Sequence, residues 1–198
     1  MARTIAKDYD QKRAHILKTA ARVFAEEGVA RASMNLVARE CGISKANIYH
    51  YYGSKDALLF DILDIYLSIL RGRVCDLELT TLSPADQLRR IIRETLLAYQ
   101  GMDNQHKIQT EGIALLPDVQ QRVLKGYQRD MVDQLSAVLV ALAPAAFEAD
   151  RKKLRATTMS IYGMMNWFYM WNGSADEAAR TDYADLVTDL TLGGLPKL

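Results

Sequence analysis

A short run, KANIYHYY at residues 45–52, collects side chains that hydrogen-bond to nucleic acid and leaves little for covalent chemistry. The Asn47 amide presents a donor and an acceptor side by side and can pair bidentately with adenine. Lys45 reaches guanine O6 and N7 or a phosphate. Ala46 is small enough to let a helix sit deep in a groove and to touch a thymine methyl. Around them stand further donors for phosphate oxygens: the Tyr49 and Tyr51 hydroxyls, the serines Ser33, Ser44 and Ser54, and the Lys55 ammonium beside a helix start, while His50 lies on the same outward side.

These groups need a rigid frame, and the pattern supplies one. Ser33 can cap a short helix holding Leu36, Val37 and Ala38, which Gly42 ends. Ser44 can cap a second short helix, in which Ile48 and Tyr52, four residues apart, face a small core with Ile43. The two helices and the CGIS turn between them read as a helix-turn-helix, whose second helix enters a major groove. A preceding helix over Asp10–Glu27 completes the head, and a long fourth helix capped by Ser54 opens the body. An aromatic core wall is the plain reading of Tyr52 and of part of Tyr49, whereas Lys45 and Asn47 have no apolar face to serve.

The run MNLVARECGISKANIYHYYGSKDALL resembles the DNA-binding signature of the tetracycline-repressor (TetR) family. The resemblance rests on Val37-Ala38, Gly42-Ile43-Ser44, Tyr49, Tyr51-Tyr52 and Ser54-Lys55-Asp56, in order and spacing. Leu36 and Cys41 depart from the usual polar residue and alanine, and both suit a small apolar core. The resemblance implies a homodimer on a palindromic double-stranded DNA operator. It gives DNA-contacting roles to Ser33, Ser44, Lys45, Asn47, Tyr49, His50, Tyr51 and Lys55. Arg3, Lys7, Lys12 and Arg13 either add minor-groove or phosphate contacts or belong to a disordered terminus.

Charge is divided accordingly. Residues 1–55 carry 10 Lys/Arg against 5 Asp/Glu, and the remainder 15 against 19, so a basic head joins an acidic body. The expected domains are 1–54, the DNA-binding head, and 55–198, an effector-binding and dimerisation body. Helical periodicity runs throughout, giving an all-α chain of about nine helices. No apolar run is long enough to cross a membrane. Cys41 and Cys75 match neither a disulfide framework nor a zinc pattern, so the chain reads as cytoplasmic, with no metal and no cofactor.

In the body, SIYGMMNWFYMWNG at 160–173 spreads apolar residues over most of a helix circumference, as burial on more than one side requires. Thr158, Ile161 and Phe168, with Tyr183, Leu186 and Leu190 of the last helix, are the candidates for the four-helix dimer interface the resemblance implies. Tyr66, Tyr99, His106 and Thr110, together with Tyr162, Met165, Asn166, Trp167 and Tyr169, are the candidates for a small-molecule effector pocket. Methionines and aromatics suit an adaptable cavity, though plain core packing explains any one of them as well. The wording GMMNWFYMWN is also similar to regulators of fatty-acid and aromatic-acid breakdown, some of which respond to acyl-CoA. The basic runs at 89–93, 122–129 and 151–155 could meet such a ligand's phosphates, and a solvated helix face is the ordinary reading of each.

Two other classes stay open. An architectural DNA-binding protein would need no effector, and the acidic body speaks against it. A helical-bundle enzyme would need paired Glu-x-x-His motifs or a nucleophile motif, and neither is present. No catalytic residue is therefore assigned.

Overall fold

The computed structural model describes residues 2–173 and 175–195, with side chains from residue 8 onward, so the expectation placed on Arg3 and Lys7 lies outside the described side chains. All regular structure among the described residues is helical: α1 (Ala2–Glu27), α2 (Met34–Glu40), α3 (Lys45–Tyr51), α4 (Lys55–Cys75) and α5 (Pro84–Ala98). There follow α6 (Asp103–Gly112), a 3-10 turn (Ile113–Leu115), α7 (Asp118–Leu142), α8 (Pro144–Phe147), α9 (Arg151–Trp171) and α10 (Glu177–Gly194). The all-α expectation holds, with one helix more than the periodicity suggested. Pro144, expected only to stop α7, also occupies the first position of α8, where its missing N–H costs nothing.

Two compact units emerge, and neither is continuous in sequence. One comprises residues 1–66 and 104–124, the other residues 67–103 and 125–198, so the chain crosses between them inside α4, α6 and α7.

In the first unit, Ile16, Ala20, Val23 and Phe24 of α1 are buried with Val37 and Ala38 of α2, Ile48 of α3 and Leu58, Leu59 and Leu63 of α4. The α2–α3 turn follows from its residues. Cys41 ends α2, Gly42 adopts φ of 67°, and Ile43 N–H donates to Ala38 O at 3.0 Å while Gly42 N–H donates to Arg39 O at 3.0 Å. That pair of bonds with a left-handed residue between them is a Schellman ending, which strains any side chain larger than glycine at that position. Gly112 of α6 lies against Leu59 and Leu63, with an added Cβ already 3.4 Å from Leu59 Cδ1.

The second unit is built on α5 and α10. Leu88, Ile91, Ile92 and Leu96 of α5 are buried, as are Ala184, Val187 and Thr188 of α10. Arg89 adds ion pairs to Asp185 (3.6 Å) and Asp189 (3.2 Å). Thr158 of α9 joins α7 through a 3.0 Å hydrogen bond to Ser136. Arg180 is the largest fully buried side chain. Its guanidinium donates to Leu96 O and Ala175 O (both 3.2 Å) and sits 5.7 Å above the centre of the Phe168 ring.

Candidate nucleic-acid interface and effector site

Helix α3 is amphipathic in the sense a reading head needs. Ile48 is fully buried and Tyr52, the C-cap, nearly so, while Ser44, Lys45, Ala46, Asn47, Tyr49 and His50 are exposed together. Ser44 Oγ accepts from Asn47 N–H at 3.1 Å, Ser33 Oγ from Leu36 N–H at 3.2 Å, and Ser54 Oγ from Ala57 N–H at 3.1 Å. Each hydroxyl spends a lone pair on its cap and keeps its proton to donate outward.

Two expected DNA contacts change character. Lys55 does not reach outward: its ammonium donates to Val29 O (2.9 Å), Ala30 O (3.2 Å) and Ala32 O (3.2 Å), engaging all three of its protons with the α1–α2 turn. The charge that suggested a phosphate contact ties a loop to the start of α4. Tyr51 is half-buried, with one face of its ring stacked on Tyr9 at 4.9 Å between centroids.

A third group was missed in the sequence. Asp61 on α4 accepts at one oxygen, Oδ2, from both Arg13 Nη2 of α1 and the Tyr52 hydroxyl at the end of α3. Burial and then this bond push the Tyr52 phenol up. The available signal was an acid inside the mostly apolar run LLFDILDI of α4.

The effector candidates separate. Tyr66, His106 and Thr110 belong to the first unit, where the Tyr66 hydroxyl lies 2.8 Å from His106 Nδ1, and Thr110 is exposed. Tyr99, Tyr162, Met165, Asn166 and Tyr169 belong to the second, where the Tyr99 hydroxyl donates to Asn166 Oδ1 at 2.7 Å and Met165 is fully buried. The Tyr162 hydroxyl is buried without a hydrogen-bond partner, and burial pushes that phenol up, with a smaller contribution from Cys75. Trp167, also a pocket candidate, is 62% exposed.

The dimer candidates also divide. Thr158, Ile161 and Phe168 are buried inside their own chain and cannot face a partner; Phe168 stacks on Tyr183 at 4.5 Å, and the Tyr183 hydroxyl donates to Met164 O at 3.1 Å. Leu186 and Leu190 are exposed, as expected of an interface. With Met159, Trp167, Met170 and Trp171 of α9 they leave large apolar side chains in water, beside an open groove of about 410 Å³ lined by Ala156, Ser160, Met164, Leu190 and Gly194 among others. Such surfaces on a single chain mark contact sites. The exposed apolar stripe of α9 is thus Met159, Trp167, Met170 and Trp171, since periodicity identifies an apolar face without saying what covers it.

No cluster of three or more potential metal ligands occurs among the described residues, and no helix of theirs is long and apolar enough to cross a membrane.

A capped, glycine-turned helix pair presenting polar groups on its second helix, joined to a larger helical unit, defines the class of helix-turn-helix regulators. The comparisons narrow the class. Residues 16–62 match the model for bacterial regulatory proteins of the tetR family, and residues 81–195 match the tetracyclin repressor-like C-terminal domain. The chain belongs to the TetR family.

Among curated relatives, the uncharacterized HTH-type transcriptional regulator YerO of Bacillus subtilis is 35% identical over 69 residues, a match spanning 35% of this chain and 24% of that protein. The HTH-type transcriptional repressor NicS of Pseudomonas putida is 23% identical over 212 residues, covering 96% of this chain and 95% of NicS. Among solved structures, a TetR-family regulator from Bordetella parapertussis superposes with a TM-score of 0.82 at 29% identity, over 94% of this chain and 96% of that one. AibR in complex with isovaleryl coenzyme A and operator DNA shares the fold, with a TM-score of 0.74 at 22% identity over 90% and 97% of the two chains.

Proposed function

We propose that this chain is a ligand-responsive transcriptional repressor that binds a palindromic operator as a homodimer and leaves it when a small-molecule effector binds. The observation that carries the reading is the exposed, Ser44-capped start of α3, where Lys45, Ala46 and Asn47 stand clear of the core that Ile48 and Tyr52 anchor. In this reading residues 1–54 form the DNA-binding domain and 55–198 the effector-binding and dimerisation domain, in the cytoplasm, without catalysis. Ser33, Ser44, Tyr49 and His50 hold phosphates, while Lys45 and Asn47 read bases.

The exposed apolar face of α9 and α10 supports the homodimer. Tyr99, Asn166, Tyr169 and the unpartnered hydroxyl of Tyr162 are the groups proposed to orient the effector. An acyl-CoA is the proposed effector class, motivated by the bound ligand of AibR and by the exposed cations Arg151, Lys152 and Arg155. Effector binding shifts the population toward a dimer whose reading heads no longer match the half-site spacing.

The test is selection of bound fragments from genomic DNA by the purified protein at near-physiological salt. One enriched palindrome is expected, and its neighbouring genes then nominate effectors to try. Broad enrichment without a shared sequence would replace the reading with an architectural one, and that outcome also predicts no loss of binding on adding any acyl-CoA.

A further inference from the structure

We infer that Asp61 is the pin that sets the angle of the recognition helix, which makes it, with Tyr52 and Arg13, a positioning residue for sequence-specific DNA binding. The inference rests on the DNA-binding reading of α3 and deepens it.

Three elements meet at one oxygen atom. Asp61 projects from α4, and its Oδ2 accepts from the Arg13 guanidinium on α1 and from the phenol of Tyr52, the residue that ends α3. All three lie in the same compact unit. Tyr52 is nearly buried, and the side chains of Asp61 and Arg13 are 23% and 38% exposed, so the carboxylate is partly shielded from water. Such charge-assisted bonds are shorter and roughly twice as strong as neutral ones. A second contact works in the same place: Tyr51, also at the end of α3, stacks on Tyr9 of α1 at 4.9 Å with an interplanar angle of 23°. Tyr9 and Arg13 of α1 and the second turn of α4 therefore grip the C-terminal end of α3, and nothing among the described polar contacts grips its N-terminal end beyond the Ser44 cap.

The lever is short and its reading end is far from the pin. Asn47 lies five residues before Tyr52, about 7.5 Å along the helix axis at 1.5 Å per residue. A tilt of about 15° about the pinned end sweeps the Lys45–Asn47 end through roughly 2 Å, which takes a base hydrogen bond out of its working range. Because one atom accepts both bonds, a rotation of α4 that displaces Asp61 loosens both at once. Phosphate contacts made by long or rotatable side chains tolerate such a tilt, whereas a bidentate base contact does not. The pin therefore acts on specificity more than on affinity for DNA in general.

The test compares binding to the selected palindrome with binding to a scrambled duplex of equal length, at one salt concentration, for the intact protein and for Asp61→Asn and Tyr52→Phe. Both variants are expected to lose roughly tenfold or more in operator affinity, the equivalent of one bidentate base contact, and to keep scrambled-duplex affinity within about twofold. Arg13→Lys, which keeps the charge, is expected to lose less than Asp61→Asn. Melting temperatures identify variants that are folded at the assay temperature. A melting temperature that falls while the operator-to-scramble ratio holds makes Asp61 merely structural and overturns the inference. Equal loss on both duplexes overturns it too. If the unmodified protein fails to distinguish the duplexes, the DNA-reading function itself falls, an outcome separable from failure of the pin.

Discussion

Lys55→Met separates two roles for one ammonium. The structure commits it to three carbonyls of the α1–α2 turn, at 2.9, 3.2 and 3.2 Å. Hydrogen bonds involving a charged partner contribute about 1.5–3 kcal/mol each, so three at the lower end would sum to about 4–5 kcal/mol. The lysine is only half-buried and Ala30 is exposed, so water recovers part of the loss. A net cost of about 2 kcal/mol is the working figure. For a chain of this length that lowers the melting temperature by about 4–8 °C. Methionine retains the apolar stem, so the change isolates the ammonium. The assay pairs thermal unfolding with the salt dependence of operator binding. A clamp predicts the drop in melting temperature and an unchanged slope of log K against log salt. A phosphate contact predicts an unchanged melting temperature and a slope shallower by about 0.9. The second result would refute the clamp and restore Lys55 to the DNA interface.

The exposed face of α9 and α10 makes Leu190→Glu informative: Leu190 is 59% exposed, so the change leaves the monomer core untouched. The protein is expected to move from dimer to monomer in light scattering, with its helical circular dichroism intact; a dimer of wild-type stability would remove this face from the interface. Alkaline titration tests the buried phenols. Burial raises Tyr52 and Tyr162 above the ordinary value of 10.0, so the folded protein holds protons that the unfolded chain releases. Stability is therefore expected to fall as pH rises through 10.0, with phenolate absorbance lagging in the native state. Native and denatured titration curves that coincide would contradict this burial.

Much of the reading head was legible because its signals are local. Ser33, Ser44 and Ser54 cap the next turn of their own chain, Gly42 provides a backbone angle that few other residues adopt comfortably, and the alternation of Ile48 and Tyr52 with polar neighbours fixes which side of a seven-residue helix is wet. α8 escaped because a proline that ends one helix serves equally well to start the next.

What sequence could not decide was partnership between distant residues. Lys55 reads as a free cation until the fold brings Val29, Ala30 and Ala32 to it, 23 to 26 positions earlier in the chain. Asp61 reads as one more acid until Arg13, 48 residues away, and Tyr52 close on its oxygen. Along α9 the periodicity showed apolar residues on more than one side. Only packing decided that Thr158, Ile161 and Phe168 turn inward and that Trp167 and Trp171 turn to the surface. Caps, turns and amphipathic faces are set by neighbours in sequence, so the residues alone determine them. The work a charge does, and the surface that covers an apolar face, depend on what lies across space, and those were decided by the tertiary structure.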